Sequence, residues 1–380
     1  LLDKVQNKTK TKKVAVAMSG GVDSSVAAAL LKKDGYDVVG LTMHLWDYDG
    51  VGGNIFSESS CCSVETANDA RAVCQNLGIP HYVIDVREAF EKTVISNFSQ
   101  EYLNGRTPNP CILCNSEIKW KILLQKAIEL GYDHFSTGHY ARVKFDKKSR
   151  RYNLLKGLDA KKDQAYALWR LTQSQLERTL FPLGELNKME VRNLADKLDL
   201  KTKHKKESQE ICFIPDDDYS RFLNERYPGL KEKIGTGEIV DQEGHILGHH
   251  KGFPFYTIGQ RKGLGIAVGR PIYVTKIDAE SNRVVVGDRE DLHSKGLIAN
   301  ETNWIAVDKL ELPMKVDAKI RYNDSGRSAI IYPDNSKVKV IFETFHQAIT
   351  PGQSVVFYQG DIVIGGGVIE REIGGMGDSD

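Results

Sequence analysis

The clearest pattern in the chain is an alternation of short apolar runs with longer stretches of helical period. Val14 to Val16 are apolar, and an Ala/Leu-rich stretch of helical character follows through Leu31. The order recurs: "DVVGLTMHLW" precedes a helix through "VETANDARAVCQNLG", and "HYVIDV" precedes another helix before "HFSTGHYARV". Up to about Val143 this predicts an α/β domain with a doubly wound, largely parallel sheet, whose ligands sit at the carboxyl ends of the strands. A helical region is expected over "QAYALWRLTQSQLERTL" and "NKMEVRNLADKLDL", joined by the turn "FPLGE". From about Gly235 short strands lie between Gly, Asn and Asp turns, as in "PIYVTKIDAESNRVVVGD" and "VVFYQGDIVIGGGVI". Two small β-rich domains are predicted there, so the expected plan is 1–214, 215–290 and 291–380, the last a β-barrel.

Composition narrows the class. A chain of 380 residues is long enough for two or three domains, each with its own core. Lys plus Arg (52) nearly cancel Asp plus Glu (51), giving a net charge of +1, so a nucleic-acid partner must be met by local basic patches. No apolar run approaches the roughly 20 residues of a membrane span, and the opening "LLDKVQNKTKTKK" lacks the apolar core of a signal peptide. A cytoplasmic protein with no membrane partner is expected. In that compartment the six cysteines, Cys61, Cys62, Cys74, Cys111, Cys114 and Cys212, read as chemistry or packing rather than as disulfide staples.

The loop "AMSGGVDSSVAAALL" stands at the first strand-to-helix junction. Two consecutive glycines permit positive φ and close backbone approach, so successive N–H groups can converge on an anion at the helix start. That is a phosphate or pyrophosphate cradle. The G-x-x-x-x-G-K-[ST] pattern is absent because no lysine precedes the serines, and G-x-G-x-x-G is absent too. An ordinary turn capped by Asp23 or Ser24 is the bland alternative. A nucleophile elbow would need glycine where Ala17 stands.

In "GRTPNPCILCN" two prolines hold the chain extended just before Cys111 and Cys114, whose spacing lets both sulfurs face one point. A redox dithiol, half of a metal site and a thiol nucleophile with a helper all fit this pattern. Zinc would need four ligands, and no second C-x-x-C pair exists. Cys61 and Cys62 are adjacent, a poor ligand geometry, and Cys74 falls in an amphipathic stretch where packing is the expected role. Cys212, in "ESQEICFIPDDDY", is the natural third sulfur. Lys201, Lys203, Lys205 and Lys206 beside it would favour a thiolate, although a solvated charge run is the default reading of such lysines.

"SGGVDSS" looks like the loop of ATP-pyrophosphatases, enzymes that cleave ATP between its α and β phosphates and adenylate a substrate oxygen. Together with "GRTPNPCxxCN", "TGHYAR", "KDQAY", "SQEICFIPDDDY" and "HKGFPFYTIGQRKGLGIA", it closely resembles the tRNA-specific 2-thiouridylase family over almost the whole chain. The resemblance implies ATP-dependent exchange of the 2-oxygen of the wobble uridine for sulfur in the tRNAs for Lys, Glu and Gln. It implies an ATP site of Ala17, Met18, Ser19, Gly20, Gly21, Val22, Asp23, Ser24, Met43 and Gly138, with Asp23 at the phosphates through Mg²⁺. Cys212 would receive a persulfide from a sulfur-carrier protein fed by a cysteine desulfurase. Cys114 would be the partner thiol, and a Cys114 to Cys212 disulfide would form in each turnover. Asn109, Pro110 and Cys111 would hold the target base, and His139, Lys162, Asp163, Gln164, Arg321, Tyr322 and Gln353 would meet the tRNA.

One departure matters: many family members carry Asp where this chain has Cys111. Cys111, Cys114 and Cys212 would then supply three thiolates, enough for a 4Fe-4S cluster with one open iron that could hold hydrosulfide. Basic patches for RNA are "KFDKKSRR", "KHKK" and "GQRKG", each of which also reads as a solvated loop. Two rival functions remain at this level. A ligase or amidotransferase would need the loop but not the cysteines, and an RNA-binding scaffold would need neither.

Overall fold

The computed structural model describes residues 12–46, 64–203, 205 and 211–375. Cys61, Cys62 and part of the "KHKK" patch, His204 and Lys206, lie outside the described residues.

Four of the apolar runs become parallel strands: β1 (Lys13–Ala17), β2 (Asp37–His44), β3 (His81–Asp85) and β4 (His134–Ser136). With the two-residue strand Thr179–Leu180 they form one sheet in the order β3, β2, β1, β4, Thr179–Leu180, parallel throughout. Helices α1 (Val22–Lys33) and α2 (Val64–Leu77) follow β1 and β2. The centre of β1 is buried on both faces, as near-continuous apolar strands of parallel sheets require. Ala15 joins a core with Leu41, Trp120 and Phe135, whereas Val14 and Val16 join another with Val26, Ala27, Leu31 and Cys74. Cys74 is a packing residue: its sulfur would lie 2.5 Å from any Cβ on Gly40, and burial pushes its thiol up to about 12. The strand order reverses direction between β1 and β4, so the loops after these two strands flank a crevice.

The helical expectation over 164–180 is corrected. The segment breaks into a 3₁₀ turn (Ala165–Leu168), a short helix (Gln173–Glu177) and the fifth parallel strand. Thr172 and Gln175 form a reciprocal capping box that starts the helix afresh, and the Trp120 indole donates to Thr179 Oγ1 at 2.7 Å, so capping and tertiary contact override helical propensity. The helix Lys188–Lys197 does form, capped in the same way by Asn187 and Glu190.

The second half of the chain is β-rich as expected. Strands Gly237–Val240, Ile246–His250, Tyr273–Asp278 and Arg283–Gly287 make a four-stranded mixed sheet. The six strands His293–Trp304, Met314–Lys319, Arg327–Asp334, Lys337–Gln347, Ser354–Gln359 and Ile362–Gly375 close on themselves, because the first pairs with the fourth and with the last. Closure into a barrel removes the edges that would otherwise template aggregation. A hairpin of β5 (Ala141–Asp146) and β6 (Arg151–Lys156) reaches from the α/β part and adds to the barrel's last strand through Leu155 opposite Ile362. Leu154 on this hairpin, Val356 and Tyr358 of the barrel, and Phe135 of β4 share one buried cluster, so barrel and parallel sheet are packed as a unit.

Within the barrel, Asp324 and His346 form a buried pair with Nε2 3.0 Å from Oδ2. Burial alone would raise the Asp324 pKa, but hydrogen bonds from His346 and from the amides of Ile320 and Gly326 outweigh it and hold the carboxyl down at about 2. A depressed carboxyl contributes stability above its unfolded value, and that contribution is lost as pH falls through the folded value. Asp324→Asn is expected to destabilise the barrel by about 2 kcal/mol. In urea unfolding the deficit should be constant above pH 5 and shrink below pH 4; a deficit independent of pH down to 2 would contradict this account.

Candidate active site

The loop between β1 and α1 is built for close backbone approach. Gly20 has φ +65°, and a Cβ on it would collide with the Thr66 carbonyl, so only glycine fits there. Gly21, rather than Asp23 or Ser24, is the N-cap of α1, and no side chain caps that end. The helix start therefore retains its affinity for an anion. Ser24 Oγ accepts from the Ser19 amide at 3.2 Å and lies 3.3 Å from Ser19 Oγ. Ser25 Oγ turns inward, donating to the Gly21 carbonyl at 2.8 Å and accepting from Thr202 at 3.1 Å, so its hydroxyl holds the loop instead of facing the cleft.

Across the crevice, the loop after β4 presses on α1. A Cβ on Gly138 would lie 2.7 Å from the Asp23 carbonyl carbon and the Ser24 nitrogen, which makes glycine mandatory here too. Tyr140, two residues on, donates its hydroxyl to Asp23 Oδ1 at 2.8 Å. Lys188 Nζ grips both oxygens of the same carboxylate, at 2.7 and 2.8 Å. Lys188 went unnoticed in the sequence. It is the first residue of the helix Lys188–Lys197, 165 positions from Asp23, and only the fold supplies the cation that the loop motif lacks.

A cleft of about 800 Å³ opens from this loop. Of the expected nucleotide residues, Ala17, Met18, Ser19, Gly21, Val22, Asp23, Ser24, Met43 and Gly138 line it, while Gly20 lies behind the wall. The same cleft is also lined by Asn109, Pro110, Cys111, Cys114 and Cys212. Pro110 begins a four-residue helix (Pro110–Leu113) whose N-cap Asn109 accepts from the Ile112 amide at 3.4 Å. From Cys114 to Leu123 the helix widens to π winding, an irregularity that recurs at functional sites. With i→i+5 bonding, residues five apart come nearly to one face, and Cys114, Asn115 and Lys119 all reach the cleft. Cys111 is exposed, Cys114 and Cys212 are half-buried, and all three are thiols outside any disulfide. The disulfide implied for turnover is therefore not formed in this state. Among the described residues the only His, Cys, Asp or Glu side chains with single-ion spacing are Asp241, Glu243 and His245, so the three sulfurs do not make a mononuclear site.

The expected RNA-facing residues divide. His139, Lys162, Gln164 and Tyr322 line the cleft, whereas Asp163, Arg321 and Gln353 do not. His139 packs against Trp120 and Phe181, its Nδ1 is 2.6 Å from Thr137 Oγ1, and burial aided by the Lys119 charge keeps its pKa well below the usual value, so the ring is neutral. Gln164 accepts from the Tyr140 amide, bracing the Gly138 loop. Asp163 accepts from the amides of Gly157 and Ala165, a local structural role. Tyr322 is exposed, its ring 6.3 Å from that of Tyr166, and Arg321 is exposed beside it. The Gln353 carboxamide donates to the carbonyls of Thr107 and Pro108 at 3.0 and 2.8 Å.

A parallel sheet with an uncapped glycine-serine loop at its switch point defines an ATP-using α/β domain of the HUP type. Residues 12–216 match the family described as tRNA methyl transferase HUP domain. Residues 221–288 match its PRC-barrel domain, and residues 294–369 match the aminomethyltransferase beta-barrel domain. The tRNA-specific 2-thiouridylase MnmA of Heliobacterium modesticaldum is 53% identical over 95% of this chain and 93% of its own length. That of Acetivibrio thermocellus is 51% identical over 94% and 99%, and that of Salinibacter ruber 50% identical over 97% and 96%. The chain belongs to the tRNA-specific 2-thiouridylase family.

Lys188 gives this site a testable electrostatic prediction. Lys188→Met removes a cation facing the phosphate loop and leaves Asp23 without its counter-charge, so ATP affinity by calorimetry should fall roughly tenfold or more. Unchanged affinity would remove Lys188 from the nucleotide site.

Proposed function

We propose that this chain is the ATP-dependent tRNA-uridine 2-sulfurtransferase its family membership indicates, acting on the wobble uridine of the tRNAs for Lys, Glu and Gln. The observation that carries the reading is that the loop Ser19–Ser24 and the thiols of Cys111, Cys114 and Cys212 lie on the walls of one cleft. A nucleotide held by its phosphates on the loop would thus share the cleft with the thiols that would deliver sulfur.

The order of steps follows from leaving-group chemistry. A carbonyl oxygen leaves poorly, so the uridine 2-oxygen attacks the α-phosphorus of ATP and pyrophosphate departs. The loop and Lys188 stabilise the charge that builds on the departing phosphates, as preorganised donors do. Asp23 is the residue that would hold Mg²⁺, which would share or replace Lys188 on that carboxylate. A persulfide on Cys212, supplied by a sulfur-carrier protein or a cysteine desulfurase, then provides sulfur. Attack by the Cys114 thiolate on the Cys212 sulfur releases hydrosulfide and forms a Cys114 to Cys212 disulfide. Hydrosulfide adds at C2 and expels AMP, and an external thiol reductant restores both cysteines.

Cys111 favours a second reading of the sulfur step. Three thiols on one cleft match in kind the donor set of a 4Fe-4S cluster, and Cys111, Cys114 and Cys212 are the residues that would hold it. Such a group would supply bound hydrosulfide in place of the persulfide. A flipped wobble base needs a pocket and phosphate contacts around it, for which Lys162, Arg321 and Tyr322 at the cleft and its rim are suited. The setting is proposed to be the cytoplasm; among the described residues no helix is long and apolar enough to cross a membrane.

The deciding experiment is a thiolation assay on unmodified tRNA with anaerobically purified protein. Cys114→Ser and Cys212→Ser should abolish thiolation with tRNA affinity nearly unchanged, whereas Asp23→Ala should stop pyrophosphate release itself. Full thiolation by either cysteine variant would overturn the sulfur step. Iron in the protein whose removal stops sulfide-dependent thiolation would select the cluster reading; activity that follows a persulfide on Cys212 without iron would select the first.

A further inference from the structure

The target-base loop cannot satisfy its own backbone. In Thr107-Pro108-Asn109-Pro110 two of the four residues lack an N–H, so local donors for the carbonyls are scarce just where the chain must enter the helix carrying Cys111 and leading to Cys114. The donors come from the C-terminal barrel. Gln353 Nε2 donates to the carbonyls of Thr107 and Pro108, at 3.0 and 2.8 Å. The Thr107 amide in turn donates to the Pro351 carbonyl at 2.9 Å. Between them Gly352 has φ +91°, and a Cβ on it would stand 2.7 Å from the Thr107 oxygen, so the two backbones touch with no room for a side chain. Arg106 adds a longer bond from its guanidinium to the Ile369 carbonyl on the barrel's last strand.

We propose that Gln353 is a positioning residue of the sulfur-transfer site, fixing the loop Thr107–Pro110 and through it the helix turn that presents the Cys114 thiol. The proposal rests on the reading of Cys114 as the attacking thiol. The Gln353 carboxamide donates both its N–H groups to the protein's own backbone, so it holds this loop in the free protein, before any RNA is bound. The turn that carries it continues into the barrel strand Ser354–Gln359, whose pairing across Val368 and Gly367 makes a rigid base for the contact. The barrel is thereby a structural part of the active site, and what it fixes is the direction from which a thiol meets the base.

The test is Gln353→Met, which keeps length and bulk and removes both donors, with Gln353→Glu as an isosteric second variant that turns donors into acceptors facing carbonyls. Three readouts are taken: the alkylation rate of Cys114 by iodoacetamide in the free protein, followed on the Cys114 peptide by mass spectrometry; the dissociation constant for unmodified tRNA; and the single-turnover thiolation rate. The expected result is an altered Cys114 alkylation rate, a thiolation rate lowered roughly tenfold to a hundredfold by loss of alignment, and a tRNA constant within about twofold of the parent. A tRNA constant raised tenfold with Cys114 alkylation unchanged would make Gln353 an RNA contact and overturn the proposal. Unchanged values on all three readouts would overturn it as well. Because the alkylation readout needs neither tRNA nor ATP, it reports on the positioning role even if the parent protein fails to thiolate tRNA, which would instead defeat the functional reading.

Discussion

The contact on which the site depends is the one between Gly138 and the first turn of α1. A methyl group at 138 would stand 2.7 Å from the backbone of Asp23 and Ser24, so the two loops meet main chain to main chain. They can do so because the connection from β1 runs toward β2 while that from β4 runs toward Thr179–Leu180, leaving the crevice between them clear of crossing chain. Two contacts of the crevice follow within two residues of it: Tyr140 reaches Asp23, and His139 packs against Trp120.

Electrostatics in the cleft are local and bear no relation to the whole-chain balance. The net charge is +1, yet Lys119, Lys161, Lys162, Lys188 and Lys205 all line one cavity, against which Asp23 is the sole lining carboxylate among the described residues. Asp23 and Lys205 are themselves paired, the former with Lys188 and the latter with Asp69. Inside a partly enclosed cleft such charges act through a lower effective dielectric than on the surface, so a polyanionic ligand meets a field that composition conceals.

Much of this was legible from sequence because it is local. The parallel sheet followed from apolar runs without alternation, and the anion loop from Gly20, Gly21 and the serines, since both depend on neighbours within a few residues. Cys74 was readable as packing from its helical setting, and Cys111, Cys114 and Cys212 were picked out as the sulfur set, which the fold brings to one cleft. Lys188 was not legible, because nothing in "LNKMEVR" tells that the first residue of that helix points at a carboxylate 165 positions away. The region 164–180 misled because its composition suits a helix, while the Thr172 cap and the Trp120 bond to Thr179 act from outside local propensity.

The hairpin β5–β6 carries the remaining step. It belongs by sequence to the α/β part, yet it pairs with the barrel's last strand, and its Leu154 lies in one core with Phe135 of the parallel sheet and Tyr358 of the barrel. Arg142 reaches Asp361, and Arg151 reaches the Ile305 and Trp304 carbonyls, tying the hairpin to barrel backbone at both ends. A domain joined only by a linker would sample orientations relative to its neighbour; one joined through a shared sheet and a shared core cannot without exposing that core. The loop bearing Tyr322 and Asn323 at the cleft therefore stands in a fixed relation to Gly138 and Cys114, and any RNA surface the barrel offers is set in register with the chemistry before the RNA arrives.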